Sequence, residues 1–148
     1  MLNRHTTKAA LPRRPDLRVS DLMSQPVEMI DPTRSVRGAA SQMAERGVGF
    51  LAVCDDERAV GVLTDRDITV RVVALGLDAA STQVREVMTR HVFGCSSSTS
   101  LWEAHRLMRT NGVRRLVVTD SATYMVIGVI SMADLYSTAP PRGSAQPE

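Results

Sequence analysis

The sequence predicts an α/β protein in which two β-α-β-β-α repeats pack as a pseudo-twofold pair, and three observations carry that prediction. A block of the chain recurs in the same order at an offset of 65 residues. Within each copy, apolar runs of strand length alternate with apolar residues at helical three- and four-residue steps. Finally, 43% of the 148 residues are hydrophobic but only 3% are aromatic. The core must therefore come from Val, Leu, Ile, Met and Ala, the usual filling of helix-on-sheet layers.

The recurrence begins at Val19-Ser20-Asp21-Leu22-Met23-Ser24, matched by Val84-Arg85-Glu86-Val87-Met88-Thr89. Ser35-Val36 then faces Ser100-Leu101, Met43 faces Met108, Gly47-Val48 faces Gly112-Val113, and Leu51-Ala52-Val53 faces Leu116-Val117-Val118. After a two-residue insertion near 122–125, Gly61-Val62-Leu63-Thr64 matches Gly128-Val129-Ile130-Ser131, and Asp67-Ile68 matches Asp134-Leu135. A series of such matches in one order indicates duplication.

Each copy is legible locally. Residues 27–30 form a short β-prone run closed by Asp31-Pro32, where proline enforces an extended or turn geometry. Ser35 reads as a helix N-cap, followed by an apolar stripe of Val36, Ala39, Ala40 and Met43. Gly47 ends that helix as a C′ glycine does. Residues 50–54 and 59–63 are two apolar runs joined by Asp55-Asp56-Glu57-Arg58, which predicts a hairpin. A second helix follows Thr64 and runs through Ile68, Val70, Val72 and Val73 to Gly76. The second copy predicts strands at 92–96, 116–120 and 126–130, a helix at 101–111 ended by Gly112, and a short helix from Met132. Residues 77–90 connect the copies, with a helix at 84–88 after a Ser81-Thr82 cap. A repeat of roughly 50 residues buries too little surface to stand alone, so the two are expected to pack through their sheets around a cleft.

The expected organisation is a disordered basic tail over 1–18, a first repeat over 19–76, a linker over 77–83, a second repeat over 84–137 and a disordered tail over 138–148. The formal net charge of +2 conceals an asymmetry. Arg4, Lys8, Arg13, Arg14 and Arg18 stand against Asp16 alone in the first tail, which leaves the body slightly acidic. A basic tail on an acidic body, with few aromatics for base stacking, argues against a nucleic-acid reader. No stretch is apolar enough to span a membrane, and the N-terminus lacks the apolar core of a secretory signal. Two cysteines, Cys54 and Cys95, are too few for a disulfide framework and fit a reducing cytoplasm.

The chemistry is carried by a strand ending in Gly-x-x-Thr/Ser with Asp three residues after the hydroxyl, at Gly61 to Asp67 and again at Gly128 to Asp134. The hydroxyl caps a new helix at the rim of the cleft. That helix start is expected to offer free N–H groups and a positive dipole end to a phosphate. The Asp one turn in can accept two hydrogen bonds from a ribose diol. A capping box, with Asp at N3 reaching back, is the structural alternative. Its occurrence twice in matching contexts favours the ligand.

These segments together, with Gly-Val-Arg-Arg-Leu-Val-Val-Thr-Asp at 112–120, resemble the CBS domain family over about residues 19–136, a tandem pair of the kind called a Bateman module. Thr-Asp-Arg-Asp-Ile followed by Ala-Leu-Gly-Leu-Asp is similar to the stand-alone bacterial pairs. The resemblance implies a non-catalytic regulatory module whose two pseudo-symmetric clefts bind AMP, ATP, S-adenosylmethionine or a related adenosine ligand, with no cofactor required. It implies a homodimer that reports to an effector protein. Asp67 and Asp134 would hold ribose, and Thr64 and Ser131 would lie by the ribose or phosphate. One cleft would combine Thr64, Arg66 and Asp67 with Val92, Val113, Arg114 and Arg115. The other would combine Ser131 and Asp134 with Val27, Val48, Gly49 and Phe50.

The clefts differ in charge. Arg66, Arg114 and Arg115 face the counterparts Ala133, Gly49 and Phe50 in the other half. The Asp67 cleft is therefore expected to take a phosphorylated adenosine and the Asp134 cleft a neutral ligand, or none if Phe50 fills it. Solvated strand-edge arginines are the alternative. His5, His91 and His105 share no metal-site spacing with the cysteines or acids. His105 and Trp102 suggest a packing or subunit-contact face, and Cys54 and Cys95 read as buried thiols at strand ends. An enzyme finds no support in a nucleophile–base arrangement or a P-loop. Two further readings remain: a scaffold or dimerisation protein whose nucleotide sites stay vacant, and an adaptor acting through its basic tail.

Overall fold

The computed structural model describes residues 16–137. The elements run α1 (Val19–Leu22), β1 (Met29–Ile30), α2 (Val36–Arg46), β2 (Phe50–Asp55), β3 (Arg58–Thr64), α3 (Asp65–Ile68), α4 (Val84–Val87), β4 (Gly94–Ser96), α5 (Leu101–Asn111), β5 (Arg115–Thr119), β6 (Val126–Ser131) and α6 (Met132–Tyr136). They form two three-stranded sheets, β1-β2-β3 and β4-β5-β6. In each, the first strand pairs parallel to the second, and the second and third form an antiparallel hairpin. Most of the expected 1–18 and 138–148 tails lies outside the described residues. Arg18 is already part of the fold, bridging to Ser100. Among the described residues, no helix is long and apolar enough to cross a membrane.

The two long helices follow their end signals. Ser35 Oγ accepts from the Gly38 N–H at 3.0 Å and Ser100 Oγ from the Glu103 N–H at 3.2 Å. Gly47 and Gly112 end them at φ 64° and 65°, the left-handed region where a Cβ is costly. Val36, Ala39 and Met43, with Leu101, Ala104 and Met108, are the buried stripes. Ala40, expected on the first stripe, is exposed. The first hairpin turns on Asp56 and Glu57, both at positive φ, as a two-residue turn requires for strands of right-handed twist. The insertion in the second copy widens that turn around Asp120, whose Oδ1 accepts from the Ala122 and Thr123 N–H groups.

Three expectations need correcting here. The strand expected at 27–30 shortens to Met29–Ile30, because Val27 packs into the layer between the sheets. The helix after Thr64 continues beyond Ile68 as one π-helical turn, Thr69–Val73, which buries Val72 but leaves Val70 and Val73 exposed. The connecting helix starts from Gln83, whose N–H donates to Glu86 Oε2 at 2.6 Å. The Ser81 and Thr82 hydroxyls instead bond Asp78.

The repeats also exchange their leading helices. Val19, Leu22 and Met23 open the first repeat but pack with Leu101, Met108, Leu116 and Ile130 of the second. Val84, Val87 and Met88 pack with Val36, Met43, Leu51 and Leu63 of the first. Between the sheets, Val27, Ala52 and Cys54 meet Val117 and Val126. Together these contacts make the pair one packed body with a cleft on either side of its pseudo-twofold axis.

Candidate functional site

The exchange explains the glycine of the repeated motif. Each crossing segment bridges to the hairpin strand it passes, Thr89 to Val62 and Ser24 to Val129. A Cβ on Gly61 would lie 2.5 Å from Met88 Sδ and 3.0 Å from the Thr89 carbonyl oxygen. A Cβ on Gly128 would lie 2.9 Å from the Ser24 carbonyl oxygen. Glycine is needed for this backbone approach, three residues before the hydroxyl that opens the cleft.

At the rim, the motif forms the same capping box twice. Thr64 Oγ1 accepts from the Asp67 N–H at 3.1 Å, and Asp67 Oδ2 accepts from the Thr64 N–H at 2.9 Å. Ser131 Oγ accepts from the Asp134 N–H at 3.2 Å, and Asp134 Oδ2 accepts from the Ser131 N–H at 2.8 Å. The cap and the ligand-binding carboxylate are compatible. A carboxylate has about four acceptor sites, and the cap uses one oxygen while fixing where the other points. Asp67 Oδ1 lies 3.5 Å from Arg71 Nη2, whose guanidinium also donates through Nη1 to the Val87 carbonyl and to Thr89 Oγ1.

Most of the expected N–H groups are already bonded, all three at the Asp67 rim and all but that of Ala133 at the Asp134 rim. The Asp65 N–H donates to the Gly49 carbonyl, that of Arg66 to Asp65 Oδ1 and that of Asp67 to the Thr64 hydroxyl. The Met132 N–H of the second copy donates to the Arg114 carbonyl at 2.8 Å. These bonds pin the start of each short helix to the neighbouring strand. An anion at this rim would meet arginine side chains before it met helix N–H groups.

The first cleft, about 420 Å³, brings together Thr64, Arg66, Asp67, Val113, Arg114 and Arg115. That volume lies within the range of small-molecule sites, roughly 300–1,000 Å³. Val92 does not line it. Val92 packs in the layer between the sheets, while its neighbours His91 and Phe93 turn their rings to the cleft with centroids 4.5 Å apart. Side chains alternate along an extended segment, so moving one residue changes the face. The second cleft is smaller, about 250 Å³, and brings together Val27, Val48, Gly49, Phe50, Ser131 and Asp134. It also contains Glu28, which Gln42 and Arg46 hold from behind.

Phe50 and Arg115 line both clefts. The sequence reading places each in one cleft only. It sets His91 near a cleft without giving it a ligand role, and it does not reach Glu28 or Thr89. The signal for Thr89 is its repeat match to Ser24, since both crossing strands enter a cleft. His91 is marked by standing where the other repeat has Pro26, and Glu28 only by its neighbour Val27. Outside the clefts, His105 Nε2 lies 2.9 Å from the Tyr136 hydroxyl on the outer helices.

Comparison with known proteins matches the CBS domain twice, over residues 19–74 and 84–139. The CBS domain-containing protein YhcV of Bacillus subtilis is 34% identical over 117 residues, 79% of this chain and 81% of that protein. Hypoxic response protein 1 of Mycobacterium tuberculosis is 29% identical over 127 residues, 85% of this chain and 87% of that protein. Among solved structures, the CBS domain protein PAE2072 from Pyrobaculum aerophilum complexed with AMP is similar with a TM-score of 0.72. It is 26% identical, with 80% of this chain and 89% of that one covered. With two matched domains, an exchanged pair of leading helices and two clefts between the sheets, this chain belongs to the CBS domain family as a tandem pair.

Proposed function

We propose that the chain is a non-catalytic regulatory module that binds an adenosine-type ligand between its repeats and passes its ligand state to an effector protein. The observation that carries this reading is the pair of capped carboxylates, Asp67 and Asp134, at the rims of two clefts walled by aliphatic strand residues. A ribose diol can donate to such a carboxylate, and an apolar wall suits a purine. The AMP complex of the Pyrobaculum aerophilum relative supports the same ligand class. AMP, ATP and S-adenosylmethionine are the candidates. Arg66, Arg114 and Arg115 around the first cleft favour a phosphorylated ligand at Asp67.

The module acts, on this reading, as a cytoplasmic homodimer. Val73 and Leu75 are 70% and 69% exposed beside Val70, an apolar face on the outer side of the first repeat that suits a second copy. Sedimentation of Val73→Glu as a monomer beside a dimeric wild type supports this. Equal sedimentation removes it.

The test of ligand binding is calorimetric titration with AMP, ATP, NADH and S-adenosylmethionine, on the wild type and on Asp67→Ala and Asp134→Ala. Binding lost with one substitution, in a protein that still unfolds cooperatively, supports the sensor and identifies its working cleft. No binding of any of these ligands moves the reading to a scaffold or dimerisation role.

A further inference from the structure

The two clefts share a wall. Phe50 and Arg115 are counterparts under the repeat, and both line both clefts. The Arg115 guanidinium carbon lies 5.8 Å from the centroid of the Phe50 ring. Arg115 is exposed, and among the described residues its guanidinium makes no hydrogen bond or ion pair. The first cleft has Arg66 and Arg114 besides. The second is lined by Glu28 and Asp134, and Arg115 is its only cation among the described residues.

Resting on the nucleotide-binding reading above, we propose that Arg115 is one phosphate-binding arginine shared by both clefts. Each chain then accepts a single phosphorylated adenosine ligand, at Asp67, and leaves the Asp134 cleft to an unphosphorylated one. A phosphate displaces an exposed aromatic ring as partner of a guanidinium, because it offers full charge and two acceptors in the plane of the fork. Once Arg115 turns to a phosphate beside Asp67, the second cleft keeps two carboxylates and no cation in its lining, since Arg46 reaches Glu28 only from behind. A second phosphate there meets like charge at close range. The hydroxyl and carboxylate that would hold a nucleoside, Ser131 and Asp134, are unaffected by where Arg115 points. The exclusion therefore acts on phosphate and not on adenosine.

Equilibrium dialysis against the intact chain tests this by counting bound molecules. The expected result is one AMP per chain, two adenosines per chain, and one adenosine taken up by protein already saturated with AMP. Arg115→Ala lowers affinity for AMP roughly tenfold relative to adenosine. In Asp67→Asn, AMP binds more weakly at the same stoichiometry, because Arg115 is free to serve the other cleft. Adding Arg115→Ala to that variant abolishes it. If Asp67→Asn does not fold, the wild-type counts decide alone. Two AMP per chain of similar affinity, or a single adenosine site, overturns the sharing and leaves the sensor reading intact. Binding of neither compound removes the reading itself, and the sharing falls with it.

Discussion

Arg115 meets Phe50, its own counterpart in the other repeat, with the guanidinium carbon 5.8 Å from the ring centroid. Each residue opens the middle strand of its sheet and pairs with the capping hydroxyl residue of its own repeat, Phe50 with Thr64 and Arg115 with Ser131. Divergence at this one pair of positions therefore changes both clefts together. A ring on one side and a cation on the other break the pseudo-twofold symmetry at its axis. Arg114 and Gly49, one residue earlier, break it again in the same sense.

The charge asymmetry has a direct consequence for phosphorylated ligands. Arg114→Ala is expected to weaken AMP binding by roughly tenfold, the scale of one charge-assisted hydrogen bond. The same substitution flattens the dependence of AMP affinity on salt, since one fewer cation is screened. Titrations at two salt concentrations read both effects. Unchanged AMP affinity in Arg114→Ala and Arg115→Ala would mean that both arginines are solvated strand-edge residues.

The motif glycines are expected to be structural, and for the same reason. At Gly128 the atom nearest a new Cβ is the Ser24 carbonyl oxygen, fixed in a two-way bridge with Val129. At Gly61 the Thr89 carbonyl oxygen, held in the same kind of two-way bridge with Val62, would lie 3.0 Å away behind the movable Met88 Sδ. Both substitutions to Ala overpack a buried crossing against backbone, at about 1–3 kcal/mol each. Urea midpoints compared at constant slope measure both losses. Equal midpoints for both variants and wild type would contradict the close crossing.

What the sequence made legible follows from the range over which each signal acts. Helices α2 and α5 are readable to the residue, because Ser35 and Gly47, or Ser100 and Gly112, act within one turn of the ends they set. The exchange of α1 and α4 is not. Val19, Leu22, Val84 and Val87 announce that they are buried but not against which repeat, since a four-residue helix has the same apolar face either way. Fewer than half of the residues that line the first cleft, and six of the eleven that line the second, are legible from the repeat. The double role of Phe50 and Arg115 is not, because it depends on how close the two β-strand starts come when the sheets pack. Val92 failed for a local reason, one step of side-chain alternation.

Acid is expected to destabilise the fold in two stages. Burial, and then Arg109, hold His105 below the ordinary imidazole value of 6.5. The unfolded chain therefore takes up this proton first as pH falls. The stability tied to neutral His105 is complete above 6.5 and is lost as pH drops from there through the lower folded value. Asp31, Asp78, Glu103 and Asp120 are also lowered, each chiefly by a hydrogen bond, from Thr33, Ala80, Arg106 and Thr123 respectively. Their contribution has the same sign but is lost only near and below about pH 4. Urea midpoints measured across pH should show both stages in wild type and only the lower one in His105→Gln. An unchanged upper stage in that variant would assign it to another group.

The two thiols are expected to be inert in the folded protein. Cys54 packs between the sheets with Ala52, Val117 and Val126, whereas Cys95 packs in the second repeat's own core with residues such as Leu116 and Ile130. Burial raises Cys95 to about 11, and burial with the nearby Glu57 raises Cys54 as well. At pH 8 only about one Cys95 in a thousand is then thiolate, the form that reacts. Their separate layers leave no route to a Cys54–Cys95 bond without unpacking a sheet. A thiol-reactive disulfide reagent at pH 8 should therefore label the native chain slowly and the urea-unfolded chain at once, with both sites reacting. Rapid native labelling of either residue, or a reversible internal disulfide formed with the fold intact, would show that one sheet opens far more readily than its packing allows.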